Sequence, residues 1–414
     1  MVGDDILAQY AELLIGTCLG ISNGMRLRIC CETLHRKLAR LTAIEAWRRG
    51  AREVVVQYTD PLLDRAAIMS MDDAWLDDIS EFTRDEYNRF AKDGWSSLMI
   101  MGEEDPEALE DVESARLQRY DLSRSIEFKP FLSAMATNAA PWCLAAEPTE
   151  AWARWVFTAS GRAMPADPLS TLWEVLLPIL RLDRLDPSSA WLANVLSLDA
   201  KAARMTELRF DSLRFFGPGT DITVGLSPSS CWKSCLSATR EGKRFTPNIP
   251  SEEIFSTPDA RRTSGRVTVT RPVRVMGVMV EGAWLRFEKG EVVESGASRN
   301  AEALAGFLAS EIGVRRLGEV ALVECEGPVA KSGLIFGNVL LDENAACHIA
   351  LGLSIEEAFE GADAMDGPAR EAAGFNEALS HLDFMIGSDR IDVDGFDASG
   401  RRTPILRAGK FVLN

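Results

Sequence analysis

The sequence lacks any run of about 20 apolar residues, the length that a bilayer-spanning helix needs. Its early apolar stretch, Leu13–Ile15 with Cys18, Leu19 and Ile21, is broken by Gly16 and Thr17. Asp4 and Asp5 stand where a secretory signal would carry positive charge. These features predict no membrane partner and a cytoplasmic location. Basic residues are in deficit: 45 Lys+Arg against 62 Asp+Glu leave a formal charge of −17. A surface of that sign repels phosphate backbones and anionic lipid, so no nucleic-acid partner is expected. No glycine-rich phosphate loop follows the early strands, and no internal repeat or low-complexity segment is visible. The eight cysteines have no regular spacing, and Cys231 and Cys235 have no second Cys/His pair at zinc-finger distance. Free thiols in a reducing compartment fit that pattern.

Hydrophobic residues make up 46% and charged residues 26% of the 414, the composition of a globular protein too long for a single core. Apolar residues at helical spacing predict a helix over Ile6–Leu19. Arg26–Cys31 reads as a short strand, His35–Arg49 as a helix stopped by Gly50, and Glu53–Tyr58 as a Val-rich strand. Such alternation predicts a parallel α/β unit. Residues 70–130 are charged and helical in pattern. Pro141–Phe157 reads as strand, turn at Pro148 and helix, and Leu169–Leu182 as a further helix, with a break at Asp186–Pro187. The texture changes near residue 210. Thr220–Leu226, Val267–Thr270, Val273–Val280, Trp284–Phe287, Val320–Val323 and Leu334–Leu341 are short and β-rich, with a helix at Ala301–Ile312. The expected architecture is an α/β N-terminal domain over 1–210 and an α+β, largely antiparallel C-terminal domain over 211–414.

Histidine is scarce: His35, His348 and His381 are the only three. On a strand His381 and Asp383 project to one face while Leu382, Phe384 and Ile386 project to the other. Such a pair serves equally as two metal ligands or as a buried ion pair. Glu343 and His348 flank a small-residue turn. Glu319 begins an apolar strand, where a carboxylate is costly unless paired or bound to metal. Glu252 and Glu253 follow the stiff turn Pro247–Ser251. Singly, each glutamate also reads as a solvated cap or rim residue.

Together the motifs are more specific. Asn248–Ile249–Pro250–Ser251–Glu252–Glu253, Leu317–Gly318–Glu319–Val320–Ala321–Leu322–Val323, Asp342–Glu343–Asn344–Ala345, Cys347–His348–Ile349–Ala350–Leu351–Gly352 and His381–Leu382–Asp383–Phe384–Met385–Ile386–Gly387–Ser388 follow one another in an order and spacing that resembles the thermophilic-type, leucyl aminopeptidase-like metallo-aminopeptidases. Pro148–Thr149–Glu150–Ala151–Trp152 and Gly217–Pro218–Gly219–Thr220–Asp221 extend the resemblance over nearly the whole chain. The resemblance implies a homodimer acting on a peptide or small-molecule substrate. It also implies two divalent metal ions (zinc, cobalt, manganese or iron) held by Glu253, Glu319, Glu343, His348, His381 and Asp383. Glu319 is implied as the catalytic proton shuttle. Two divalent cations would balance the four carboxylates, which otherwise repel one another.

The chain departs from this pattern at the substrate pocket. The family places a catalytic tyrosine seven residues after its first histidine, where this sequence has Ile355; Gly337 stands where an aromatic usually precedes Asn338. No tyrosine follows Tyr120. The readings are an aminopeptidase, or a specialised hydrolase of a non-peptide amide or amine. Ring-opening dihydroxypyridine dioxygenases resemble the same fold and hold one iron with two His and one Asp. His348, His381 and Asp383 offer that set, but the three additional glutamates favour two metals. A non-catalytic binding module would need none of these ligands.

Overall fold

The structure is a computed structural model and describes residues 2–413. The chain folds into two compact units, Met1–Ala193 with Leu236–Pro250, and Asn194–Cys235 with Ser251–Asn414. This division differs from a single cut at 210/211. It falls inside the helix Pro187–Leu208, and residues 236–250 return to the first unit because Asn248–Ile249 hydrogen-bonds beside the strand Trp142–Ala146.

The first unit holds a five-stranded sheet in the order Asn248–Ile249, Trp142–Ala146, Ser96–Met101, Arg26–Glu32, Glu53–Thr59. Every pairing is parallel. Leu27, Ile29, Leu98, Ile100, Cys143 and Ala145 are buried on one face of it. The expected helix over Ile6–Leu19 divides into an α-helix, Asp4–Glu12, and a wider π-helical segment, Leu13–Cys18. The charged stretch 70–130 holds the helices Glu81–Lys92 and Ser114–Glu127 but also the strand Ser96–Met101. That strand, Ser96–Met101, holds two serines and a single β-branched residue, Ile100, so its composition does not announce it. Thr149 caps the helix Glu150–Ala159 by accepting from the Trp152 amide at 3.1 Å.

His35, the one histidine outside the candidate metal set, is 1% exposed in this unit. Its Nδ1 donates to Glu147 Oε2 at 2.9 Å and its Nε2 to the Gly102 carbonyl at 2.7 Å. Both partners are acceptors, so the ring is held as an imidazolium. Burial alone would lower its pKa, but the Glu147 carboxylate and the Gly102 carbonyl outweigh burial and raise it. Residue 102 has to be glycine, since a Cβ there would lie 1.9 Å from the Glu147 carbonyl oxygen and 2.7 Å from His35 Cε1. A raised folded-state pKa stabilises fully below the unfolded value, about 6.5, and is lost as pH climbs through the folded value. A His35→Gln variant is therefore expected to lose on the order of 2 kcal/mol at pH 6 and progressively less toward pH 9. Urea midpoints of the two proteins across that range check this; a gap that widens with pH contradicts it.

The second unit contains an eight-stranded sheet, in the order 291–296, 284–288, 258–268, 220–226, 212–217, 392–396, 402–407, 410–411, and a five-stranded sheet. The latter runs His381–Met385, His348–Gly352, Leu317–Val323, Glu253–Ser256, Trp232–Lys233, all antiparallel. The unit thus matches the expected mixed architecture, with the helix Ala301–Ser310 where one was predicted. Two local expectations are corrected. Val273–Val280 is a hairpin, Val273–Val275 with Val278–Val280, turning at Met276 and Gly277, both with positive φ. Leu334–Leu341 is not a strand. It links the helical turns Pro328–Ser332 and Val339–Asp342, because Asp342 accepts the Phe336 and Gly337 amides and Asn338 caps the second turn. Gly337 has φ +65°, where a side chain is disfavoured. No helix among the described residues is long and apolar enough to cross a membrane.

Candidate metal centre

Alternation along the strands of the five-stranded sheet decides which side chains meet. Residues paired directly across an antiparallel sheet share a face, and alternate residues of one strand return to it. Asp383 pairs with Ala350, and Ala350 with Glu319. His348 pairs with Ala321, Ala321 with Phe255, and Glu253 with Val323. Glu253, Glu319, His348, His381 and Asp383 therefore all project from one face, on four adjacent strands. Ile254, Val320, Leu322, Ile349, Leu351 and Phe384 form the buried opposite face. Glu252 precedes the strand Glu253–Ser256 and belongs to neither trio of candidate ligands.

Two overlapping trios result, Glu253–Glu319–His348 and Glu319–His381–Asp383, each with its ligand atoms within 4.8 Å of one another. Glu319 sits between them. Its Oε1 lies 3.9 Å from His348 Nε2 and its Oε2 lies 3.0 Å from His381 Nε2. Glu253 Oε2 is 3.1 Å from His348 Nε2, and Asp383 Oδ1 is 3.4 Å from His381 Nε2. Both histidines are oriented from behind. His348 Nδ1 donates to the Ala346 carbonyl at 3.2 Å and His381 Nδ1 to the Leu353 carbonyl at 2.7 Å. A carbonyl only accepts, so each Nδ1 carries a proton and each Nε2 faces the carboxylates, the ring orientation that presents Nε2 to a metal. Glu343 is buried on the turn Glu343–Ala345 but belongs to neither trio. His348 and Asp383 also fall in different trios, which does not favour a one-iron site built on His348, His381 and Asp383.

The electrostatics are those of buried carboxylates in mutual contact with imidazoles. Burial raises the Glu319 carboxyl, against the opposing pull of His381. Burial, then Glu253 and Asp383, push Glu343 well above the carboxylate range. Burial would depress His348, but Glu253, Glu319 and Asp383 reverse this and carry it up to about 10. Asp383 is lowered because His381 and His348 overcome its burial. Glu253 Oε2 and Asp383 Oδ1 are buried yet make no aligned hydrogen bond; their histidine contacts are close but poorly directed. Buried acceptors are rarely left so. Orphaned carboxylate lone pairs beside imidazole nitrogens form an N/O donor set that fits divalent zinc, cobalt, manganese or iron.

Ile355 and Gly337, the residues expected at the substrate pocket, are placed by packing and by a turn. Ile355 packs against Phe255, Ala321 and Ala358; Phe255 and Ala321 share the ligand face. Its amide donates to Thr257 Oγ1 at 3.0 Å and its carbonyl accepts the Thr257 hydroxyl at 2.9 Å, so the backbone there is fixed. Gly337 lies in the Asp342 turn.

Supporting residues escaped the sequence reading. Asn344 Oδ1 accepts the Glu252 amide at 2.6 Å and its Nδ2 donates to the Leu340 carbonyl at 2.9 Å, joining the Glu253 strand to the Glu343 turn. Asn376 Nδ2 donates to the Gly352 carbonyl at 2.6 Å and to the Gly313 carbonyl at 2.9 Å. An asparagine beside each ligand segment was the available signal, but hydrogen-bonding asparagines are too common to stand out. Gly352, with φ +108°, ends the His348 strand, and a Cβ there would lie 2.0 Å from the Ser380 carbonyl oxygen. Gly352→Ala is expected to cost on the order of 3 kcal/mol through strain and backbone displacement and to weaken metal retention. Denaturant midpoints and metal content check this; a variant as stable as wild type contradicts it.

Known proteins are similar to this chain in both sequence and fold. A family model described as thermophilic metalloprotease (M29) matches residues 4–411. Aminopeptidase T of Thermus aquaticus is 36% identical over 408 residues, 98% of each chain. Aminopeptidase PepS of Streptococcus thermophilus is 32% identical over 407 residues, again 98% of each. The solved structure of wild-type AmpT from Thermus thermophilus superposes with a TM-score of 0.91 at 36% identity, covering 99% of both chains. The chain belongs to the thermophilic metalloprotease (M29) family.

Proposed function

We propose that the chain is a metal-dependent aminopeptidase, releasing N-terminal residues by hydrolysis. The observation that carries this reading is the pair of trios sharing Glu319 on one sheet face, in a chain whose relatives are named aminopeptidases. Glu253, Glu319 and His348 would hold one divalent ion and Glu319, His381 and Asp383 a second, with Glu343 completing the charge balance. Ions at these positions supply electrophilic pull on a carbonyl and an acidified water near neutral pH. The protein's own groups do the rest. The Nδ1–H bonds to Ala346 and Leu353 keep both Nε2 atoms aimed inward. Glu319, which stands between the two trios, is the group placed to hold a proton at its carboxylate and pass it to the departing amine. Ile355, in place of the family's tyrosine, gives the pocket an apolar wall without a phenolic donor. The protein acts as a cytoplasmic homodimer, with its ligands in a C-terminal catalytic domain.

The test is hydrolysis of leucine p-nitroanilide by protein freed of metal and then reloaded with zinc or cobalt, beside the N-acetylated substrate. Cleavage of the free-amine substrate alone, dependent on metal, is expected. Preference for the blocked amide would move the assignment to a specialised small-molecule hydrolase, the second reading that the Ile355 wall supports. Cleavage of neither would overturn both.

A further inference from the structure

The two trios are chemically equal and physically unequal. Each consists of two carboxylates and one imidazole, with Glu319 common to both. Each imidazole donates its Nδ1–H to a backbone carbonyl. Donor type and histidine orientation therefore do not distinguish them, and solvent does. The His348 side chain is 1% exposed and the Glu253 side chain 9%, whereas the His381 side chain is 28% exposed beside Asp383 at 10%.

We infer that the two metal positions exchange at different rates. The ion at Glu253–Glu319–His348 is sequestered, and the ion at Glu319–His381–Asp383 is the exchangeable one. Release of an ion requires water or a chelator to replace protein ligands one by one. At His381 the replacing molecule has access to the imidazole edge; at His348 it has none without opening of the sheet face. Attraction between the ion and its carboxylates is also screened less in the drier position. The arrangement yields a one-metal protein in which only the inner position is filled. It also allows different metals in the two positions when a zinc-loaded protein meets a second divalent ion. This inference rests on the dinuclear reading above.

The experiment is a chelator time course on the intact zinc-loaded protein. EDTA is added in excess, samples are desalted at intervals, and zinc per chain is read by elemental mass spectrometry. Two phases of equal amplitude are expected, at least tenfold apart in rate, with a plateau near one zinc per chain between them. His381→Ala should remove the fast phase and keep close to one slowly released zinc; Glu253→Gln should lose the slow phase. A single phase releasing both ions, or a fast phase that survives in His381→Ala and vanishes in Glu253→Gln, overturns the inference while leaving a dinuclear protein. A starting content of one zinc or none instead overturns the dinuclear reading and the inference with it. Adding cobalt at the plateau provides a readout independent of the variants. Its visible absorption should appear at one equivalent per chain, and no cobalt uptake at that stage counts against an exchangeable outer position.

Discussion

Glu319→Ala is expected to reduce hydrolysis of leucine p-nitroanilide by roughly a thousandfold or more, because one change removes the proposed proton carrier and the carboxylate common to both trios. The residue is 5% exposed and lies between the two imidazoles. Its removal leaves each trio with two donors, so the metal content of the variant should fall as well. The fold should persist, since the Glu319 carboxylate is costly to bury and its strand is otherwise held by pairing on both sides. Steady-state rates, elemental analysis and circular dichroism together test this. Full activity in the variant would remove the site assignment. Loss of activity with loss of the folded spectrum would show a structural role instead, and the isosteric Glu319→Gln separates the two.

Ile355→Tyr is expected to raise turnover of the same substrate by about a hundredfold, the order of effect that one oxyanion donor has on acyl transfer. Thr257 fixes the backbone of Ile355 through two hydrogen bonds, and its side chain packs against Phe255 and Ala321 on the ligand face. A phenol at this position therefore starts from the side of the sheet where the carboxylates and imidazoles are. The gain should appear in kcat more than in KM, because the donor acts on charge that develops during reaction. An unchanged kcat would mean that the pocket has been reshaped for a substrate that does not need the donor. The comparison belongs on the zinc- or cobalt-loaded protein, with metal content verified in both variants.

Much of this was legible where a simple periodicity rules. The shared face of His381 and Asp383 follows from alternation along a strand, and the structure places both in one trio. The parallel sheet follows from helices alternating with short strands between residues 6 and 58, and its first pairing is parallel. What escaped notice depends on contacts distant in sequence. Glu252 and Glu253 are adjacent; the resemblance names Glu253, but its place on the shared face comes from its register with Val323. The strand Ser96–Met101 gains its place from its neighbours Arg26–Glu32 and Trp142–Ala146, not from β-branched residues. Leu334–Leu341 has the apolar content of a strand, but the Asp342 carboxylate gathers the Phe336 and Gly337 amides into a turn. The return of 236–250 to the first unit is a two-residue pairing with Trp142–Ala146, too short to leave a pattern. The grouping of Glu343 with the other ligands came from motif resemblance alone, and the structure sets it on the neighbouring turn, outside both trios.

The proposed function requires two metals on one sheet face, joined by Glu319. Anomalous scattering at the zinc edge from crystals of the zinc-loaded protein tests this. Two peaks are expected, one bounded by Glu253, Glu319 and His348 and the other by Glu319, His381 and Asp383. A single peak, or peaks away from these residues, would contradict it.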